Sequence, residues 1–271
     1  MLKSLFISLF FIIAFSLNAL SFNRVYEDFD AEYNFEFSNM IIAKGTLKGR
    51  LSKDNKTYTI TFDGKTSKLI SIFYRLKEHI EGSVDVDTRR DLIYKSLEKT
   101  SKKNKSVKIT FLNKHKAKVV IIKNGRKKEV ELVSKKGIYS PISLYLFFIS
   151  NKVKFGDSYY RDVAVASHVY RIEITPKKLS QINIDRMKNK HGKRETVEVE
   201  IRFFKIDKNG KMLPDKKMKK IVAWIAKDNP NIPLLVESWH LLGVFQARLT
   251  KLKYAKRQVY SKDSSKKINF P

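Results

Sequence analysis

The side chains of this 271-residue chain that could do chemistry are few and far apart. The histidines are spread over the sequence, at His79, His115, His168, His191 and His240. No two of them have the spacing of metal ligands, and the sequence contains no cysteine, so thiolate ligands and disulfides are both excluded. The sequence therefore predicts no metal site and no cofactor.

Carboxylate pairs and nucleophile motifs lead to the same expectation. Asp85 with Asp87, and Asp207 with Asp215, fall in predicted turns, where acidic residues are common because they bond to the local backbone. The Gly-x-Ser-x-Gly motif of hydrolases is absent, and the glycines form no phosphate-binding loop. Because so few features of an active site are present, we expect a protein that is not an enzyme.

The net charge is strongly positive. Lysine and arginine number 56 against 27 aspartates and glutamates, which gives a formal charge of +29. One interpretation is attraction to an anionic partner, such as phospholipid headgroups, lipopolysaccharide phosphates or acidic wall polymers. The other is compositional bias, because the lysines are spread along the whole chain among abundant Asn and Ile. Composition leaves both interpretations open.

The N-terminus has the order of a secretory signal peptide. Lys3 precedes the apolar residues 5–15, and small side chains follow at Ala19 and Ser21. The apolar run is shorter than the roughly 20 residues that span a bilayer, which favours cleavage after Ser21 over a membrane anchor. We expect residues 1–21 to be removed, leaving a periplasmic or otherwise exported protein with no transmembrane segment and no access to nucleic acid. Residues 22–254 are expected to form one β-rich domain, and residues 255–271 a basic, disordered tail.

The dominant pattern in the remaining chain has period two. Apolar and polar residues alternate in residues 31–37, 57–62, 107–111 and 197–203. Such runs predict strands with one buried and one solvated face, an arrangement that antiparallel sheets accommodate. The expected fold class is mainly β: a curled antiparallel sheet, forming an open or partial barrel, with one or two short helices packed on it.

Turn residues separate these runs. They are Asp54-Asn55, Asp63-Gly64, Asn124-Gly125 and Asn209-Gly210. Asn-Gly supplies the positive φ angles of tight hairpins, so residues 119–133 are predicted to form one hairpin, and residues 203–225 a looser one. In another predicted hairpin, one strand ends at a buried Trp224 and the next begins at Ile232-Pro233.

Three segments do not follow the period of two. Residues 70–80 mix periods, so helix, strand and bent strand all remain open. Ser140 and Pro141 suit an N-cap and the first helical position, and they predict a buried helix over residues 141–151. Residues 176–195 are basic and lack periodicity, so we expect a long exposed loop.

Several landmarks then occur in a characteristic order. They are Gly45, Phe73 and Tyr74 within LISIFYRLKEHIEGSVD, Pro141, Gly156, Asp157, Trp224, Asp228 and Pro233. Over residues 33–252 this order resembles the bacterial exported-protein family called domain of unknown function 3108. The resemblance implies a periplasmic protein built on a curled antiparallel sheet, with these positions structural and no known activity. Residues 138–140 and the basic residues 176–195 depart from the family pattern.

Two functions are consistent with these features. The first is a non-enzymatic periplasmic binding protein that holds a lipid or other apolar envelope molecule in the curled sheet, with basic residues at its mouth. This function requires an open concave face. The second is an envelope assembly or interaction factor that binds a protein or an anionic polymer through its basic surface, with residues 176–195 as the contact. Peripheral contact with a membrane is compatible with both.

Overall fold

The computed structural model describes residues 26–150, 154–184, 192–207, 209–213, 220–226, 232–240 and 243–254. The predicted signal peptide at 1–21, the predicted tail at 255–271, and His191, Asp215 and Asp228 lie outside these residues.

Fifteen β-strands run through the described residues and join in one sheet. In chain order they are β1 (Phe29–Phe37), β2 (Met40–Leu51), β3 (Thr57–Thr66), β4 (Leu76–Asp85), β5 (Asp91–Thr100), β6 (Asn104–Asn113), β7 (Lys116–Lys123), β8 (Arg126–Val133), β9 (Tyr159–Val165), β10 (His168–Asn183), β11 (Lys193–Ile206), β12 (Met212–Leu213), β13 (Ile221–Ala226), β14 (Pro233–His240) and β15 (Gly243–Tyr254). Two short helices accompany them, α1 (Lys68–Ser71) and α2 (Pro141–Ser150).

The sheet curls into a nearly closed barrel. Its strand order is β8-β7-β6-β5-β4-β3-β2-β1-β15-β14-β13-β11-β10-β9, every pairing is antiparallel, and β12 pairs with β11. One seam, between the terminal strands β8 and β9, stays unsealed. Tyr139 lies beside β9 there and forms an isolated parallel bridge with Val163. The predicted fold class is confirmed.

Alternation of side chains explains why the sheet curls around a core. In β1, Phe29, Ala31, Tyr33 and Phe35 are buried, whereas the residues between them are half-buried. The inward residues of most other strands join them in a single hydrophobic cluster. The hydroxyl of Tyr33 donates to the carbonyl of Pro233, 3.0 Å away, so even its polar atom is satisfied inside the core.

Of the four predicted turn pairs, three are confirmed and one is wrong. The Asn124-Gly125 hairpin is confirmed, with φ angles of 50° and 81° at the two residues. Turns are also confirmed at Asp54-Asn55 and at Asn209-Gly210. The turn predicted at Asp63-Gly64 is wrong, because both residues lie inside β3 and pair with β2 on one side and β4 on the other. Strand pairing on both edges outweighs local turn preference there.

The segments without clear periodicity are more ordered than the sequence indicates. Residues 70–80 divide into the end of α1, a turn, and the start of β4. The exposed loop predicted over residues 176–195 is wrong where the structure describes it. Residues 176–183 belong to β10, and residues 193–195 belong to β11. Lys177 and Lys178 each lie within 3.9 Å of a glutamate of β11, so cross-strand ion pairs replace the expected solvated loop.

The predicted buried helix is confirmed as α2. The hydroxyl of Ser140 accepts the backbone N–H groups of Ile142 and Ser143, both at 3.1 Å, as an N-cap does. Ile142 packs on the inner face of the sheet at Gly82, where an added Cβ would lie 2.4 Å from its Cγ1 atom. Helix α2 therefore occupies part of the concave face.

Among the described residues, no helix is long and apolar enough to cross a membrane.

Candidate functional site

The landmark residues that the structure describes are distributed over the fold and do not assemble one site. Gly45 lies in β2 directly opposite Gly64, and an added Cβ would come within 2.6 Å of the Phe62 ring. Phe35 packs edge-on against Phe62, with ring centroids 6.0 Å apart. The glycine therefore makes room for two core rings. Phe73 follows α1 and is 84% exposed.

The other landmarks serve the backbone or the core. Gly156 has a φ of 84°, which favours glycine, and its N–H donates to the carbonyl of Pro176. Pro141 is the first residue of α2, and Pro233 is the first residue of β14. Trp224 is half-buried within β13, so the prediction that it is buried at a strand end is wrong. The described landmarks that remain, Tyr74 beside α1 and Asp157 after Gly156, are half-buried and exposed respectively.

The described histidines stay apart. His79 lies 2.8 Å from a carboxylate oxygen of Asp63, and His115 lies 3.0 Å from the carbonyl of Ser134. The His168 ring meets Tyr170 edge-on at 6.5 Å. Within the described residues, no three His, Asp or Glu side chains are grouped so that they could hold a metal ion.

The inner face is packed with the chain's own side chains where it is described. Val84, Ile109, Val119, Ile172 and Ile174 have no exposed surface, on strands from both halves of the sheet. Helix α2 adds Ile142 and Leu144 to the same core. These positions therefore leave no open apolar surface for a ligand.

One residue of β4, Glu78, places an acid among the buried side chains. Glu78 is 8% exposed, and among the described residues its Oε2 atom finds no hydrogen-bond partner. Burial, followed by the charge of Glu98, raises the pKa of Glu78 to about 8. Lys103 pairs with Glu98 at 2.7 Å, and Lys105 lies near both acids. Burial therefore favours the protonated form of Glu78 in the folded protein.

The outer face carries a groove of about 750 Å³, which we call the outer groove. It crosses strands β15, β1, β2, β3, β4 and β5. Its lining residues are Glu32, Tyr33, Asn34, Lys44, Gly45, Thr46, Asp63, Gly64, Lys65, Lys77, Glu78, His79, Leu97, Lys99 and Thr250. Most of them alternate with buried residues along their strands, so their side chains point away from the core.

Four exposed lysines stand side by side in the outer groove, and we call them the lysine row: Lys44, Lys65, Lys77 and Lys99. The strand register places Lys44 opposite Lys65, Lys65 opposite Lys77, and Lys77 opposite Lys99. Adjacent strands lie about 4.8 Å apart, so the row is about 14 Å long and runs across the strands.

The lysine row is electrostatically unfavourable in the isolated protein. Like charges directly opposite each other destabilise a sheet. At 5 Å in bulk water each neighbouring pair repels by about 0.8 kcal/mol before salt screening. Among the described residues, none of the four lysines forms an ion pair, whereas in the next cross-strand row Glu32 pairs with Lys251 and Asp63 lies 2.8 Å from His79.

Reasoning from the sequence alone missed the lysine row. Within its own strand each lysine is one of many scattered lysines: Lys44 stands between Ala43 and Gly45, whereas Lys99 stands between Glu98 and Thr100, and neither pattern indicates a row. The signal lies in the register, because only the pairing of four strands brings the four positions into line.

The fold and the groove define a class: a barrel-like antiparallel β protein with a basic groove on its outer face. The chain belongs to the family described as protein of unknown function DUF3108, whose model matches residues 28–250. The family resemblance expected from the landmarks is confirmed.

A solved structure has the same fold. It is the crystal structure of a beta-barrel-like protein of domain of unknown function DUF1849 from Brucella abortus, with a TM-score of 0.55 and 13% identity. The similarity covers 86% of this chain and 99% of that one. No curated protein matches the chain. These comparisons establish the family and the fold.

Proposed function

We propose that this is a non-enzymatic binding protein of the cell envelope whose outer groove binds an anionic polymer. The signal-peptide pattern of residues 1–21 supports the proposed compartment. The observation that carries the proposal is the lysine row, where four positive charges lie in line without carboxylate partners among the described residues.

A polymer suits the row better than a small ion. The four ammonium groups are distributed over about 14 Å of sheet, so a chain carrying repeated phosphate or carboxylate groups can neutralise them together. Binding of a polyanion then offsets the repulsion among the four lysines. This favourable free energy is gained only in the complex. Lysine is a flexible point-charge donor, so the groove is expected to select charge density over sequence or stereochemistry.

An apolar molecule held inside the sheet has less support. That function requires an open concave face, and the described inward side chains are buried against one another and against α2. The interaction function predicted residues 176–195 as the contact, but the part of that segment in β10 and β11 carries ion pairs to glutamates. We therefore place the polymer contact in the outer groove.

The test is salt-dependent binding of a fluorescent polyphosphate to the mature protein. The variant Lys44→Gln/Lys65→Gln/Lys77→Gln/Lys99→Gln removes the row without adding negative charge. By analogy with nucleic acids, each lost phosphate contact lowers the slope of log K against log salt by about 0.7–0.9. The quadruple variant is therefore expected to lower the slope by about 3 and to weaken binding strongly at low salt.

A matched control separates the row from total charge. The variant Lys95→Gln/Lys116→Gln/Lys118→Gln/Lys178→Gln changes the net charge equally, but each of its lysines pairs with a glutamate. It is expected to keep nearly the wild-type slope. Equal losses in both variants would show that only net charge matters, and the proposal would be wrong.

A further inference from the structure

An exposed apolar cluster projects from one end of the sheet. Leu69, Ile72 and Phe73, in and just after α1, are 61%, 75% and 84% exposed. We call these three residues the apolar tip. Met40 and Ile41, in the neighbouring β1–β2 hairpin, are also exposed, and Ser67 at the start of α1 donates its N–H to Ile42. Contiguous exposed apolar side chains of this size mark interaction or membrane sites.

The apolar tip is held firmly. Ile70 and Tyr74, which flank its members, are half-buried and pack against the core. The N–H groups of Phe73 and Tyr74 both donate to the carbonyl of Ile70, at 3.1 and 2.9 Å. The Ser71 hydroxyl donates to the carbonyl of Lys68 at 2.7 Å. The segment turns Ile70 and Tyr74 toward the core, yet it presents the three large apolar side chains of the tip to solvent.

Positive charge surrounds the apolar tip. Lys65 of β3 lies two residues before Ser67, and Lys77 of β4 lies two residues after Arg75. Both belong to the lysine row, and α1 connects their strands. Two residues of strand correspond to about 7 Å. Lys68 and Arg75 are also exposed at this end. Among the described residues, no carboxylate pairs with any of these four cations.

We propose that this end of the sheet docks on an anionic lipid bilayer, with the apolar tip inserted between the headgroups and the lysine row at headgroup level. The inference rests on the proposed binding of anions by the row, and it adds lipid headgroup phosphates to the polymer charges that the row would bind. Interfacial apolar groups enter a bilayer by about 5–10 Å, and the row lies about 7 Å of strand from Ser67 and Arg75, which bound the segment that carries the tip.

The charge pattern favours a bilayer over a second copy of this chain. An anionic membrane attracts nearby lysines over about one Debye length, so the row and the tip act together. A second copy would bring its own lysine row against the first, because the described face around the tip is basic. A surface that complements the tip and the row must have an apolar interior beneath a negatively charged layer. A bilayer of anionic lipids has this arrangement.

The test compares binding to two probes, vesicles of phosphatidylglycerol and phosphatidylcholine, and soluble polyphosphate. The variant Ile72→Ser/Phe73→Ser shortens the apolar tip at surface positions. The control Leu112→Ser/Ile122→Ser removes two exposed apolar side chains elsewhere on the sheet. The tip variant is expected to lose vesicle partitioning by on the order of tenfold or more, which corresponds to about 1.4 kcal/mol, and to bind polyphosphate like wild type. The control is expected to keep both activities.

The outcomes separate the inference from the function on which it rests. Unchanged vesicle binding by the tip variant overturns the docking inference and leaves polyanion binding standing. Unchanged polyphosphate binding by the Lys→Gln row variant overturns the proposed function itself. If wild type sediments as a dimer that the tip variant dissociates, while vesicle binding is unchanged, a second copy covers the tip and the docking inference is wrong.

Discussion

Lysines line the outer face of both the β7–β8 hairpin and strands β2 to β5, but their neighbours differ. In the hairpin, Lys118 and Lys127 lie 2.9 and 2.7 Å from Glu129, and Lys116 lies 3.4 Å from Glu131. In the lysine row, the cross-strand neighbours of lysines are other lysines. On the outer face, lysines are therefore paired with glutamates in the hairpin and lie opposite one another in the lysine row.

This difference bears on the two interpretations of the net charge. Compositional bias distributes unpaired lysines over the whole surface, and Lys48, Lys108 and Lys128 are exposed lysines outside the groove that form no ion pair among the described residues. The groove differs in alignment, because its four lysines lie directly opposite one another across four strands. In the hairpin, Lys118 lies directly opposite Glu131, and such a pair stabilises the sheet weakly, although Lys123 lies opposite Arg126 beside the turn.

The largest expected effect comes from Glu78, the buried acid next to Lys77 of the lysine row. Burial raises the pKa of Glu78 to about 8 from 4.5, so its contribution to stability is complete below pH 4.5 and is lost as pH rises through 8. Glu78→Gln should remove this loss and gain at most about 5 kcal/mol in unfolding free energy over wild type above pH 9. Urea denaturation at pH 4, 7 and 9 measures it.

Glu129 of the β7–β8 hairpin is the acid with which Glu78 is compared. Hydrogen bonds from Lys127 and Lys118 lower the pKa of Glu129 to about 2, so its stabilisation is present above pH 4.5 and is lost as pH falls through 2. Glu129→Gln should therefore show a small effect of opposite pH dependence. Parallel pH profiles for the two variants would refute the distinction between a buried acid and a paired one.

The second expected effect tests the packing beneath the lysine row. An added Cβ at Gly45 would meet the Phe62 and Phe35 rings at 2.6 and 2.9 Å, so Gly45→Ala should destabilise by about 1–3 kcal/mol through crowding. At Gly125 of the hairpin nothing lies within 4 Å, and φ is 81°. Gly125→Ala should cost about 1–2 kcal/mol for its backbone conformation alone.

Asparagine distinguishes crowding from conformation. It tolerates positive φ, so Gly125→Asn should be milder than Gly125→Ala. Gly45→Asn should be at least as harmful as Gly45→Ala, because its side chain is larger. Thermal unfolding of the four variants measures both pairs, and a rescue of position 45 by asparagine would contradict the packing account.

The smallest expected effect is a reversal of sign between the regions. Lys65→Glu places a negative charge between Lys44 and Lys77 and should stabilise the protein by about 0.2–1 kcal/mol. Lys118→Glu places an acid directly opposite Glu131 and should destabilise by a similar amount. Denaturation at low salt measures both, and 1 M NaCl should shrink both effects because the Debye length falls to about 3 Å. Equal signs would show that the two lysine arrangements do not differ.

The sequence by itself determined the class of fold. Alternation of period two predicts strands because a strand side chain faces the core or the solvent by position alone, and this dependence is local. The same locality explains the confirmed Asn124-Gly125 turn and the Ser140 cap of α2. The family follows from the order of landmarks over the chain.

Only the tertiary structure decided where the strand pairing overrides local preference and where charges meet. Asp63-Gly64 has turn chemistry, yet it lies inside β3 because two neighbouring strands bond to it. Residues 176–183 lack a period, yet they extend β10 because residues 193–199 of β11 pair with them. The lysine row depends on the register of four strands, and register is a long-range property, since a slip of one residue would turn each lysine toward the core.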